Sequence, residues 1–266
     1  MLRKQIRLRK EYLHEKEKEK EKAKQDPVAQ AKQQTGPVQI TKITDSEFEN
    51  VRYQDPQILV TTSRSPSGRL KQFHKELIHL FPNAISVNRG AYKIKDLFDY
   101  ASRKNFSDIV IVHEHRGEPD GLIVSHLPIG PTIYFGLTNT VLRHDAEGGN
   151  ETFSQAYPHL IFHNFDESKI GRRVKTILQH LFPVPNNEES KRVITFAAQN
   201  DFISFRHHVY NKDDYKTIAL SEIGPRFELR PYMIKLGNLL QTNATIEWSL
   251  KSFINTAQKN THISKS

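Results

Sequence analysis

This sequence writes one pattern twice. Leu77-Ile78-His79-Leu80-Phe81-Pro82 returns as Leu178-Gln179-His180-Leu181-Phe182-Pro183, 101 residues later. At the same offset, with no gap, the run Ile58–Thr62 lies on His159–His163. A second landmark, Ile-Gly-Pro, stands at 129–131 and again at 223–225, each time just before a strand-like run. Glycine there can take positive φ and turn the chain, and proline can open a strand. Two landmarks in the same order constrain the chain to two copies of one α/β unit. Neither copy holds enough apolar sequence for a core of its own, so the copies are expected to share one.

The elements follow the same order in each copy. In the first, Ile58-Leu59-Val60 reads as a short buried strand, and Ser65-Pro66 as an N-cap followed by the first helical position. Phe73, Leu77 and Leu80 recur at helical spacing until Phe81-Pro82 stops the helix. A second helix is predicted over Ile94–Lys104, a strand over Asp108–Glu114, a turn over Arg116–Gly121, and strands over Gly121–His126 and Thr132–Leu137. In the second copy a strand at 159–165 precedes a helix over Lys169–Leu181, ended by Phe182-Pro183. Strands at 192–198 and 202–210 flank a hairpin turn at Gln199-Asn200-Asp201, and further strands cover Lys216–Ser221 and Phe227–Leu236. A final helix over Thr245–Ala257 is predicted to carry Trp248, the only tryptophan. The fold class is α/β, with similar halves at 57–145 and 157–257. A charged arm at 1–34 and a linker at 35–56 precede them, and a tail follows at 258–266.

The net charge of +9 favours a polyanionic partner. Residues 1–24 hold ten Lys/Arg against five Glu, so most of the excess sits in the arm and the core is only mildly basic. Glu–Lys attractions at i,i+3 in EKEKEKEK are offset by like-charge repulsions at i,i+4, and the stretch has no apolar stripe. It reads as a solvated arm that orders on a partner. The absence of Cys excludes disulfides and thiolate metal sites. No apolar run spans a bilayer and no signal peptide is visible, so a soluble intracellular protein with no membrane partner is expected.

Catalytic patterns are missing. There is no phosphate loop, no nucleophile elbow and no His-Glu-x-x-His. His113-x-His115 and His207-His208 lack further ligands and read as hydrogen-bonded histidines. Asp96, Asp99 and Asp108 show no paired spacing. The expectation is a non-enzyme without metal or cofactor. Cations mark the binding candidates. Thr61–Lys71 gathers hydroxyls, a helix start, Arg64, Arg69 and Lys71, which suits a phosphate or carboxylate; it reads equally as ordinary capping with solvated arginines. The corresponding residues 162–172 include Asp166 and Glu167 instead, so the first half is the place to look. Arg89 and Lys93 flank Gly90 and Tyr92, a grouping that suits an unpaired base or a plain surface loop. Arg116 sits at a strand-to-turn boundary, and Arg143 follows the first half's last strand. Arg226 and Arg230 share a strand face with Glu228, opposite Phe227 and Leu229. These nine cations are the candidate RNA contacts.

Several of the same stretches carry a likeness. Ile58–Arg64, Leu80–Asn83, Asn88-Arg89-Gly90, His113–Gly117, Gly130-Pro131-Thr132, Pro158–Phe162 and Glu222–Phe227, taken in order, resemble the Brix-domain ribosome-biogenesis proteins. Arg143-His144-Asp145 and Lys191–Phe196 place the resemblance nearest the type found in the U3 small nucleolar ribonucleoprotein. It covers residues 56–257 and the basic start. The resemblance implies two similar halves related to the anticodon-binding domains of some tRNA synthetases. It also implies nucleolar residence and a non-catalytic role in the small-subunit processome, aiding U3 snoRNA pairing with pre-rRNA and early 18S rRNA processing. Implied partners are U3 snoRNA, pre-rRNA, a small RNA-binding subunit, an acidic scaffold subunit and other processome proteins. The alternative is a protein scaffold that touches RNA little.

Overall fold

Among the described residues the apolar runs condense into a mixed sheet of eleven strands. The computed structural model describes residues 47–48, 54–146, 154–183, 190–212, 218–250 and 263. The chain divides into two units, Met1–Asp55 and Pro56–Ser266, and the second holds the sheet. The arm at 1–34 lies outside the described residues, as does most of the linker.

The first copy runs β1 (Ile58–Thr62), α1 (Gly68–Leu80), β2 (Ala84–Ser86), α2 (Ile94–Arg103), β3 (Asp108–His115), β4 (Glu118–His126) and β5 (Thr132–Val141). The second runs β6 (His159–His163), α3 (Lys169–Gln179), β7 (Arg192–Gln199), β8 (Phe202–Lys212), β9 (Ile218–Glu222), β10 (Arg226–Lys235) and β11 (Ile246–Ser249). The strand order is β2-β1-β3-β4-β5-β10-β8-β7-β6, with β9 on β8 and β11 on β10. β1 pairs in parallel with β2 and β3, and β6 in parallel with β7. The halves meet where β5 and β10 pair antiparallel along nearly their whole length. The 101-residue offset holds for β1 on β6 and for the starts of α1 and α3, but falls to 84 between β3 and β7. The second copy is shorter there, and no counterparts of β2 and α2 lie among its described residues.

That inequality sets what covers the sheet. α1 buries Leu70, Phe73, Leu77 and Leu80 on one face. Phe73 meets Phe227 edge-on at 5.6 Å, Phe227 stacks on Phe205 at 4.4 Å, and Phe205 meets Phe196 at 5.3 Å. Phe182, just past α3, packs on Phe196, so α1 and α3 share this face. The two phenylalanines of the repeated Leu-Phe-Pro landmark touch, Phe81 on Phe182 at 5.2 Å. One aromatic row therefore serves as core to both halves. α2 lies on the opposite face, where Ala101 packs with Leu59, Ile109 and Ile111. Among the described residues the second half has no equivalent, and Arg226, Arg230 and Tyr232 are exposed on its side of that face.

A buried polar knot ties the landmarks together. Arg192 is 1% exposed. Its Nη2 donates to the carbonyls of His79 (2.8 Å) and Leu80 (3.0 Å), at the end of α1 in the other half. Its Nε donates to His207 Nε2 at 2.9 Å. Arginine only donates, so Nε2 is the acceptor; Nδ1 then carries the proton and donates to Gly224 O at 2.9 Å. Gly224 is the glycine of the second Ile-Gly-Pro, at φ +79°, and its counterpart Gly130 has φ +118°. A Cβ on Gly130 would come within 2.6 Å of the Gly237 backbone. Burial lowers the Arg192 guanidinium to about 10. Burial, and then the Arg192 charge, lowers His207 to about 3. At the position of Arg192 the first copy has Asp108, also buried and also bonded to a histidine of the next strand, His126 (2.9 Å).

Three expectations need correction. The N-cap of α1 is Ser67, not Ser65: Ser67 Oγ accepts from Leu70 N–H, while Ser65 takes φ 52° in the loop. The expected turn at Arg116–Gly121 shrinks to Arg116-Gly117, both at positive φ, and β4 starts at Glu118. The final helix is not formed at its start. Ile246–Ser249 is a strand, pairing with Met233–Lys235 of β10, beyond the β8 partner, which reaches only Phe227–Leu229. An open strand edge captured a β-branched and aromatic segment there. Residues 251–257 of that expected helix lie outside the described residues.

The knot predicts acid lability. Folded His207 stays neutral down to about pH 3, whereas an unfolded histidine takes a proton near 6.5. The folded state therefore binds fewer protons, and stability present above pH 6.5 falls as pH drops toward 3. Denaturant melts across that range should show a contribution of up to about 1.4 kcal/mol per pH unit. The His207→Gln variant should lose that contribution while keeping those of the other histidines.

Candidate nucleic-acid interface

Within the segment that the sequence marked as an anion site, the start of the helix is occupied by the chain itself. Ser67 N–H, at the start of α1, donates to both oxygens of the Glu114 carboxylate (3.1 and 3.2 Å). Ser67 Oγ donates to Gly117 O while accepting from Leu70 N–H. A carboxylate from the end of β3 thus sits where a phosphate would at a helix N-terminus. Arg69 is equally engaged: Nε donates to Glu118 at 2.6 Å and Nη1 to Asp145 at 3.3 Å. The bond to Glu118 in particular holds its pKa above the usual guanidinium value. Arg143 opens a 3-10 turn, and its backbone N–H is held by the Glu76 carboxylate at 3.0 Å. Burial pushes that carboxyl up, and the Arg143 N–H pulls against it.

The other cations fall in two places. Arg64, Lys71, Lys93 and Arg116 are exposed near the ends of β1 and β3 and the starts of α1 and α2. Arg89 is nearby but 7% exposed, within range of the Arg64 charge. Arg226 and Arg230 stand on the open face of β10, with Phe227 and Leu229 turned into the core. The register Phe227↔Phe205 sets Arg206 of β8 beside Arg226. Arg230 lies over the Phe202 ring at 5.3 Å, Lys235 lies over Tyr134 at 5.5 Å, and Tyr134 is 5.9 Å from Tyr232. One acid pairs here with a cation, Glu222 with Arg226 at 3.6 Å. Arginines interleaved with aromatic rings on an uncovered sheet can hold phosphates and stack bases.

The sequence missed Arg206 because Arg206-His207-His208 reads as a local cluster. Only the pairing to β10 shows that Arg206 faces outward and His207 inward. Among the described residues no group of His, Asp and Glu could hold a metal ion, and no helix is long and apolar enough to cross a membrane.

The Brix domain family matches residues 63–233. The chain is 50% identical to the U3 small nucleolar ribonucleoprotein protein IMP4 of Homo sapiens, over 85% of this chain and 77% of that one. It is 44% identical to the same-named protein of Bos taurus, with 99% of each covered. Against that of Schizosaccharomyces pombe the identity is 51%, over 79% and 72%. A crystal structure of a probable ribosomal biogenesis protein from Aeropyrum pernix shares the fold, with a TM-score of 0.50 at 21% identity, covering 66% of this chain and 96% of that one. This chain therefore belongs to the Brix-domain family, on a fold of two joined α/β halves with a large mixed sheet.

Glu114 is expected to hold the fold rather than the ligand. Glu114→Ala should lower stability by about 1–2 kcal/mol in chemical denaturation, the usual cost of a lost helix cap.

Proposed function

We propose that this chain is a component of the U3 small nucleolar ribonucleoprotein, resident in the nucleolus, that serves ribosome biogenesis as a non-catalytic RNA-binding assembly factor. Near end-to-end likeness to proteins of that name supports the role. The observation that carries the RNA contact is the open face of β8 and β10, where Arg206, Arg226 and Arg230 stand with Phe202, Tyr134 and Tyr232. Arg64, Lys71, Arg89, Lys93 and Arg116 extend the contact at the ends of β1 and β3. Arg69 is already paired with Glu118 and Asp145, and the Arg143 N–H is held by Glu76.

The action is positional. Holding U3 snoRNA and pre-rRNA on one protein raises the effective concentration of each for the other and favours their pairing without chemistry. In this reading residues 1–34 are a basic arm, 35–56 a linker and 57–257 the domain. A small RNA-binding subunit and an acidic scaffold subunit are the protein partners. The competing role, a scaffold with little RNA contact, is favoured by the modest charge of the core.

Binding of the full chain to single-stranded RNA should weaken with salt, with a slope of roughly −0.7 per phosphate contact. The triple variant Arg206→Ala/Arg226→Ala/Arg230→Ala should lower the slope by about 2, three contacts' worth. A flat titration, or crosslinks in the assembled particle that run only to protein, would leave the scaffold role standing instead.

A further inference from the structure

The carboxyl ends of the parallel strands β2, β1 and β3 form a second site. Beyond such ends an open α/β sheet leaves a crevice, the usual place for a ligand. The pairing of β1 with β2 ends at Val60↔Ser86; Ser63 and Arg89 follow just beyond these strands, and Arg89 lies close enough to Arg64 and His113 to act on their charges. The backbone is fixed there: Ser63 N–H donates to Val112 O at 2.8 Å, and Val87 N–H to Val60 O at 3.0 Å. Ser63 Oγ and Arg89 Nη1 are both buried, and neither has a hydrogen-bond partner among the described residues. Arg89 is 7% exposed, so its guanidinium is largely removed from water. Arg64 repels it, and the Arg89 charge in turn disfavours protonation of His113 at the end of β3. The one acid that acts on Arg89 is Asp96, and its Oδ2 accepts from Lys93 N–H at 3.0 Å.

A guanidinium buried without an anion is a net cost to a fold. Among the described residues only the Asp96 charge offsets it, and Nη1 is left without a hydrogen-bond partner. The fork of Arg89, a buried hydroxyl and a second arginine match the oxygens of a phosphate group. Tyr92 stands next to them, 60% exposed, its N–H donating to Arg89 O at 3.1 Å. A carboxylate from a protein partner would satisfy Arg89 but give that ring nothing to do, whereas a base would stack on it. We infer that Ser63, Arg64 and Arg89 seat one phosphate of an RNA strand whose neighbouring base stacks on Tyr92. The inference rests on the RNA-binding reading above and adds a discrete site to it, separate from the open face.

The test uses the full chain and three variants: Arg89→Met, Ser63→Ala and Tyr92→Ala. Inorganic phosphate should raise the melting temperature of the parent chain, by mass action on the folded state, and should not raise that of Arg89→Met. Arg89→Met itself should melt no lower than the parent, because it removes a buried charge that no hydrogen-bonded anion balances. Its affinity for a single-stranded RNA oligonucleotide should fall about tenfold or more, with a salt slope smaller by about 0.7. Tyr92→Ala, an exposed change, should weaken RNA by about tenfold, and Ser63→Ala by about threefold. An Arg89→Met that melts well below the parent with RNA affinity unchanged would make Arg89 a packing residue and overturn the seat. If Tyr92→Ala and Arg89→Met both bind RNA like the parent while the open-face triple variant does not, the seat fails and the RNA-binding reading stands. If the parent binds no RNA, both fail. Equal protection by poly-glutamate and by the oligonucleotide, with Tyr92→Ala silent, would assign the pocket to an acidic protein partner and overturn the RNA assignment.

Discussion

Arg192 makes two half-domains into one. Its guanidinium reaches from β7 of the second half to the last carbonyls of α1 in the first, and through His207 to the turn that launches β10. Those carbonyls belong to one repeated landmark and Gly224 to the other. The residues that reveal the duplication are therefore also the ones the seam fastens. A charge this deep holds only because each bond has fixed geometry, and removing one member would strand the others. The β5–β10 pairing and the aromatic row from Phe73 to Phe196 fill the space that the knot defines.

The halves then diverge by subtraction. The first half keeps α2 and so buries both faces of β1 and β3; among the described residues the second has no equivalent. Strands β8 and β10 therefore turn arginines and rings outward on a face that in the first half is core. The same unit yields a covered sheet with a crevice at its strand ends and an open sheet with a charged surface. Each suits a different contact with a polyanion, one a single phosphate held deeply, the other a strand lying across a plane.

Much of this was legible in the sequence because the signals were local. The helix of each copy ended near Leu-Phe-Pro as expected, and the ungapped offset placed β6 on β1 residue for residue. Alternation along Arg226–Arg230 gave the correct outward face. What was not legible depended on residues far away in the chain. Thr245 onward had helical composition, but the unpaired end of β10 made a strand of Ile246–Ser249. Ser65-Pro66 had the residue types of a cap, yet Ser67 is the residue held by Glu114 and Gly117, some fifty positions on. Arg69, Arg89 and Arg143 looked alike as surface cations. Only the fold separates the ion-paired one from the buried one and from the one held by its backbone.

Glu114 carries one more implication. Tethered at the head of α1, it acts as a resident counter-ion, present at an effective concentration that a free phosphate in solution does not match. The helix end that the sequence offers as an anion trap is therefore already filled by a carboxylate of the chain. A polyanion passing over this surface meets one helix end already silenced and is left to sort among the remaining positive positions. Self-occlusion of this kind narrows where a polyanion can settle without any contact to the polyanion at all.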